Sequence, residues 1–190
     1  MLKRIVIIDN YDSFTHNLYQ HFASYAECRV FRNDAINISG LKKINFSHLI
    51  ISPGPGRPED SKVSIDAVDF FKDKVPVLGV CLGMQLMAYL NGGKIEKHPP
   101  VHGKTEKIYH IGNGIHSGMD QGFSAARYNS LCVTDIDEAK LEITATGKSG
   151  FIMGLRENSN PFFEGVQYHP ESFLTQNGAK ILNNFLNMGD

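Results

Sequence analysis

Pro76-Val77-Leu78-Gly79-Val80-Cys81-Leu82-Gly83-Met84-Gln85-Leu86-Met87 is the stretch whose reading decides the fold. Residues 76–80 form an apolar run of strand length. After Cys81, Leu82, Leu86, Met87 and Leu90 recur at helical spacing, and Gly92-Gly93 closes the helix. A glycine stands two residues to either side of Cys81, where strand and helix meet. Such glycines let the two elements approach with no Cβ in the way. The junction has the G-x-S-x-G form of a nucleophile elbow, with sulfur in place of the hydroxyl. It sets Cys81 at a helix N-terminus, where free N–H groups and the positive dipole end favour thiolate. A lone cysteine usually packs as a small hydrophobe. The flanking glycines and the strand before it make a nucleophile the better reading here.

The same alternation extends upstream. Ile5-Val6-Ile7-Ile8 is continuous apolar sequence, as in a strand buried on both faces. Asp12 and Ser13 open a helix with Phe14, Leu18 and Phe22 on one side. Cys28–Phe31 and His48–Ser52 are the next strands. Pro53-Gly54-Pro55-Gly56-Arg57-Pro58 fits only a loop. A helix follows with Val63, Ala67, Phe70 and Phe71 on one face. Strand-helix-strand-helix order predicts right-handed crossovers and a parallel sheet. Ligands bind such sheets beyond the carboxyl ends of the strands, which is where Asp9-Asn10, Ser52-Pro53-Gly54 and Cys81 fall. The second half is richer in short strands, at Lys104–Ile111, Leu141–Thr146, Phe151–Leu155 and Phe163–Gln167. Leu182, Phe185 and Leu186 mark a closing helix. The expected fold is α/β: an open, mostly parallel sheet flanked by helices, with a smaller antiparallel extension, in a single domain over residues 1–190.

The chain has 190 residues, 42% hydrophobic, enough for a substantial core, with 19 basic and 20 acidic residues and a net charge of −1. That balance gives no pull toward nucleic acid or an anionic membrane surface. No apolar run approaches the roughly 18 residues of a membrane span. The opening residues read as a strand rather than a signal peptide. Cys28, Cys81 and Cys132 are an odd number without a CxxC pair. A disulfide framework is therefore not expected, and a reducing cytoplasm is. His98 and His102 are four apart, but Pro99-Pro100 between them denies a helical metal-binding turn. Loop histidines of structural or interfacial role are the expectation, with no metal and no other cofactor. Lys42-Lys43 reads as solvated surface.

Two further segments carry candidate chemistry. In Gln167-Tyr168-His169-Pro170-Glu171, extended backbone would aim His169 and Glu171 to one side. The carboxylate then orients the imidazole, which acts as base toward a nucleophile. H-x-E alone is more often a surface pair; Pro170, which ends regular pairing, favours the functional reading. In Ser52-Pro53-Gly54-Pro55-Gly56, glycines allow backbone N–H groups close to a ligand. One donor from this loop and one from Leu82 would make an oxyanion hole. Read alone, the loop is equally a surface turn.

Together, Gly79-Val80-Cys81-Leu82-Gly83, the Ser52–Gly56 loop and Gln167–Ser172 resemble the class I, triad-type glutamine amidotransferases. Asp9-Asn10-Tyr11-Asp12-Ser13-Phe14-Thr15 and Pro100-Val101-His102-Gly103-Lys104 narrow the resemblance to glutaminase components of anthranilate synthase and aminodeoxychorismate (para-aminobenzoate) synthase. The resemblance runs from about residue 4 to about residue 187. It implies a Cys81-His169-Glu171 triad and an oxyanion hole from the backbone of Gly54 and Leu82, in the Gly54-Pro55-Gly56 loop region. It also implies a substrate grip by Gln85 and the Ser130-Leu131 backbone. It further implies L-glutamine as substrate and, as partner, a larger chorismate-binding synthase subunit. The Pro53–Pro58 loop and the region of His102 would face that partner. The sequence departs from the pattern at Met84 and Asn129, where histidine is frequent. Alternatives are a glutaminase serving another synthetase (for a nucleotide or an imidazole precursor), a stand-alone cysteine hydrolase and a catalytically silent regulatory subunit.

Overall fold

The structure, a computed structural model, describes residues 2–189. Its first strand, β1 (Arg4–Asp9), is apolar on both faces because both are covered. The chain continues through α1 (Thr15–Ala23), β2 (Glu27–Arg32), α2 (Ile38–Leu41), β3 (His48–Ile51), α3 (Val63–Phe71), β4 (Val77–Val80) and α4 (Leu82–Leu90). Then come β5 (Lys94–His110), β6 (Phe123–Asp135), β7 (Leu141–Gly147), β8 (Ile152–Glu157), β9 (Asn160–Val166) and α5 (Gly178–Leu186).

The nine described strands join one sheet in the order β2-β1-β3-β4-β9-β8-β7-β5-β6. The first five are mutually parallel and the rest pair antiparallel. Ile5, Ile7, Ile50, Leu78 and Val80 meet α1 and α5 on one face through Leu18, Phe22, Ile181 and Phe185. Val6, Ile8, Leu49, Ile51 and Val77 meet α3 and α4 on the other through Val63, Ala67, Leu86 and Met87. Burying a Leu, Ile or Phe contributes about 1.5–3 kcal/mol, so these two layers are the main stabilising force.

Several expectations need correction. β6 is absent from the strands expected above, and β5 is far longer than Lys104–Ile111. His98 and His102 lie on that strand and not in a loop. The prolines are accommodated because the β5–β6 register shifts between Lys97 and Val101, a bulge where no ladder N–H is required. Phe70 is only half-buried, with the ammonium groups of Lys42 and Lys74 3.8 and 3.7 Å from its ring centre; Val68 takes the expected core position on α3. Phe14 precedes α1 rather than joining its core face.

Candidate active site

Three glycines set the position of Cys81. A Cβ on Gly79 would lie 2.5 Å from the Gly83 carbonyl carbon and oxygen, and one on Gly83 would lie 2.6 Å from the Ile51 oxygen. A Cβ on Gly165 of β9 would come within 3.0 Å of Met84. α4 therefore presses onto the ends of β3, β4 and β9. The tight turn leaves Cys81 at φ 53°, ψ −100°, a backbone conformation that side chains rarely adopt and that marks the nucleophile elbow. Its N–H is secured to the Val166 carbonyl at 2.7 Å. Sulfur thus sits at the first turn of α4, 6% exposed and facing a small cleft.

His169 and Glu171 leave the end of β9 beside it. The backbone is not extended there: His169 forms an isolated bridge to Ala126 of β6, and residues 170–171 turn. The turn brings the side chains together all the same, with His169 Nδ1 2.7 Å from Glu171 Oε1. Both side chains are enclosed. Burial alone would push the imidazole pKa down. Interaction with the Cys81 sulfur and the Glu171 carboxylate reverses this and raises it well above the usual 6.5. His169 Nε2 has no well-formed hydrogen bond to any other group, which leaves it to act on the sulfur side. Phe14 and Tyr128 wall the imidazole, ring centres 5.5 and 5.0 Å away.

The cleft has a volume of about 130 Å³. It is lined by Gly54, Pro55, Gly56, Cys81, Gln85, Tyr128, Asn129, Ser130 and Leu131. Of the residues expected from the sequence to meet a substrate, Gly54, Pro55, Gly56, Cys81, Gln85, Ser130 and Leu131 line this cleft; His169 and Leu82 do not, and the Leu82 side chain packs against Gly54. A Cβ on Gly54 would stand 3.0 Å from Leu82 Cδ2 and 2.5 Å from the Asn10 carbonyl oxygen. Gly54 and the start of α4 are thus neighbours, as two oxyanion donors must be. Asn10 fixes the loop: its N–H and side-chain amide donate to Ser52 Oγ (2.9 Å) and Ser52 O (3.1 Å). Ser64 and Asn33 in turn donate to Asn10 Oδ1.

Gln167 carries no role in the sequence reading and proves central. Its Nε2 points at Cys81 Sγ, 3.4 Å away, and its Oε1 accepts from Gln85 Nε2 at 3.0 Å. Gln85 Nε2 also donates to the Leu131 carbonyl at 3.0 Å. Its place at the head of the His169 motif is the only hint the sequence offers. Tyr128 and Asn129 are likewise visible there only as neighbours of Ser130. Among the described residues no His, Cys, Asp or Glu cluster is arranged to hold a metal. No described helix is long and apolar enough to cross a membrane.

The family model for class-I glutamine amidotransferases matches residues 6–188. The chain belongs to that family. Anthranilate synthase component 2 of Pyropia yezoensis is 45% identical to this amidotransferase chain, covering 96% of it and 98% of the relative. Aminodeoxychorismate synthase component 2 of Escherichia coli is 42% identical over the same shares of both. The bifunctional protein TrpGD of Thermotoga maritima is 49% identical, covering all of this chain and 33% of that longer protein. A solved structure from Thermoplasma acidophilum, of a putative GMP synthase component, superposes with a TM-score of 0.85. The match covers 98% of this chain and 93% of that one at 21% identity, and the α/β fold is shared.

Proposed function

We propose that residues 1–190 act as one glutaminase domain that takes ammonia from L-glutamine and delivers it to a larger chorismate-binding subunit. The observation that carries the reading is the convergence of a strained cysteine, an imidazole held by a carboxylate, and a cleft of amino-acid size. The names of the full-length relatives, components 2 of two chorismate-aminating synthases, support the acceptor.

The chemistry follows from the groups present. The Cys81 thiolate, with the Gln167 N–H directed at it, attacks the substrate carboxamide carbon and an S–C bond forms. The carbonyl oxygen becomes an oxyanion, held by the backbone N–H groups of Gly54 and Leu82. His169, kept cationic by Glu171, gives its proton to the amide nitrogen; the C–N bond breaks and ammonia leaves. Water then attacks the thioester, His169 takes up its proton, and the S–C bond breaks to release glutamate. Gln85 and the Ser130-Leu131 backbone hold the α-amino and α-carboxylate ends. Ammonia is mostly protonated in neutral water, so a sheltered path to the acceptor site is required, and a docked partner supplies one. The Pro53–Pro58 loop lines the cleft through Gly54–Gly56, and His102 packs its ring 5.2 Å from that of the cleft residue Tyr128, so both suit that interface.

The test is chorismate amination by the chain together with the larger subunit captured on it from its own cells. Cys81→Ala should abolish the glutamine-dependent reaction and leave the ammonia-dependent one. Glutamine-dependent amination surviving that change, or no amination of chorismate from either nitrogen source, would overturn the proposal.

A further inference from the structure

Beside the cleft, behind Asn129, lies a polar cluster, buried at Arg127 and Asn129 and half-buried at His98, that the chemistry above does not use. Asn129 Nδ2 donates to the Leu131 carbonyl at 2.9 Å, and Asn129 Oδ1 accepts from Arg127 Nε at 3.2 Å. A carbonyl can only accept and a guanidinium N–H can only donate, so the amide has one permitted orientation. The second Nδ2 hydrogen then points at His98 Nε2, 3.0 Å away. Arg127 Nη2 also faces that nitrogen, at 3.3 Å. Two donors converge on one ring nitrogen, so Nε2 is the bare acceptor of a neutral imidazole.

The geometry points to His98 as a positioning residue. Its neutral ring locks the Asn129 amide, and through it the Leu131 edge of the cleft, so that a proton on His98 loosens glutamine binding. This rests on the glutaminase reading above. Protonated Nε2 would set N–H against N–H. Asn129 would have to turn over, presenting oxygen to the Leu131 oxygen and N–H to Arg127 Nε, and both of its bonds would be lost. Leu131 O would keep only Gln85.

The charged groups around the ring are few. Arg127 faces it from β6 and is paired with Glu106 on β5; the turn before β8 contributes only the Phe151 ring, 5.1 Å away. Burial first, and then the Arg127 charge, push the His98 pKa below 6.5 against smaller opposing effects of Glu106 and the Pro99 backbone. The ring is therefore neutral near pH 7.5, and loosening sets in on the acid side of the ordinary histidine range.

Calorimetric titration of L-glutamine into the full-length Cys81→Ala chain at pH 7.5 and 5.5 tests this, beside the Cys81→Ala/His98→Gln double variant. Glutamine carries an acceptor oxygen, and none of its groups titrates between pH 5.5 and 7.5. The expected result is about threefold weaker binding at pH 5.5 than at pH 7.5 with His98 present and less than a 1.5-fold change with His98→Gln. Equal affinity at both pH values with His98 present, or an equally steep fall with His98→Gln, overturns the inference. No binding at pH 7.5 by the Cys81→Ala chain overturns the glutaminase reading itself. Nitrogen-15 spectra of the histidines need no substitution at position 98. Saturating glutamine should lower the His98 titration midpoint by about one pH unit, the shift that gives about threefold weaker binding at a pH midway between the free and bound midpoints; an unmoved midpoint counts against it.

Discussion

His169 Nδ1 and Glu171 Oε1 meet at 2.7 Å across a single proline, in a turn just beyond the last parallel strand. Because the two side chains share one turn, the imidazole is oriented locally and does not depend on a distant loop. Glu171→Gln should lower glutamine-dependent kcat by about 10²-fold, within the range of one general acid-base contribution. Cys81→Ala should abolish it. The folded His169 pKa lies above 6.5, so ionisation of His169 stabilises the fold below that pH, and the contribution fades as pH rises through the folded value. Removing the carboxylate lowers that value. The alkaline limb of the Glu171→Gln pH–rate profile should therefore move to lower pH.

The elbow glycines can be tested for stability against Gly56, a cleft-loop glycine with open space around its α-carbon. Gly83→Ala places a methyl 2.6 Å from the Ile51 carbonyl oxygen, a backbone atom that cannot swing away. It should cost about 2–3 kcal/mol in urea unfolding, as overpacking of a tight core does. Gly56 has φ +86° with nothing within 4 Å of an added Cβ, so Gly56→Ala should cost only about 1 kcal/mol of left-handed strain.

The elbow is legible in the sequence because its glycines, strand and helix are contiguous. So are β1, β3 and β4, whose apolar runs reflect cover on both faces; β2 is a largely exposed edge strand, and β9, expected only as one of the short strands of the second half, joins the parallel set beside β4. β6 is not, and the reason is chemical. Its Arg127 and Asn129 are buried polar residues that satisfy one another and Glu106, so the strand lacks the alternation that marks one wet face. Pro99-Pro100 hides the first half of β5, since a bulge tolerates what a regular ladder forbids. The pairing of His169 with Glu171 is correct for an incorrect reason: a turn, not an extended segment, brings them together.

Gln167 offers a reactivity test independent of glutamine. Its N–H, directed at Cys81 Sγ from 3.4 Å, stabilises negative charge on sulfur. Gln167→Leu keeps the bulk and removes the donor. Alkylation of Cys81 by iodoacetamide at pH 7, followed by peptide mass spectrometry, should slow about three- to tenfold. Burial pushes the Cys28 thiol up to about 11, so its peptide should stay nearly unlabelled and serve as the internal reference.

His116 should weaken the fold in acid. It is fully buried, hydrogen-bonded through Nε2 to the Tyr168 hydroxyl at 2.7 Å and stacked on His110. Burial, then the charges of His110 and Arg156, push its pKa down to about 3. The neutral ring is what the fold accepts, so its contribution is complete above 6.5 and is lost as pH falls toward 3. His116→Phe should be about 1–2 kcal/mol less stable at pH 7, where it orphans the Tyr168 hydroxyl. Its loss between pH 6.5 and 4 should be shallower than that of the unsubstituted chain, in urea melts across that range.

The change from parallel to antiparallel pairing along the sheet has a consequence for how such a chain can vary. Reactivity is written into residues 54, 79–85 and 167–171, whereas the opposite rim of the cleft is written into 127–131 on a different wing. Gln85 apart, mutations altering what the molecule accepts would therefore fall on stretches of gene separate from those altering how it reacts. A lineage can drift in appetite while its chemistry stands still.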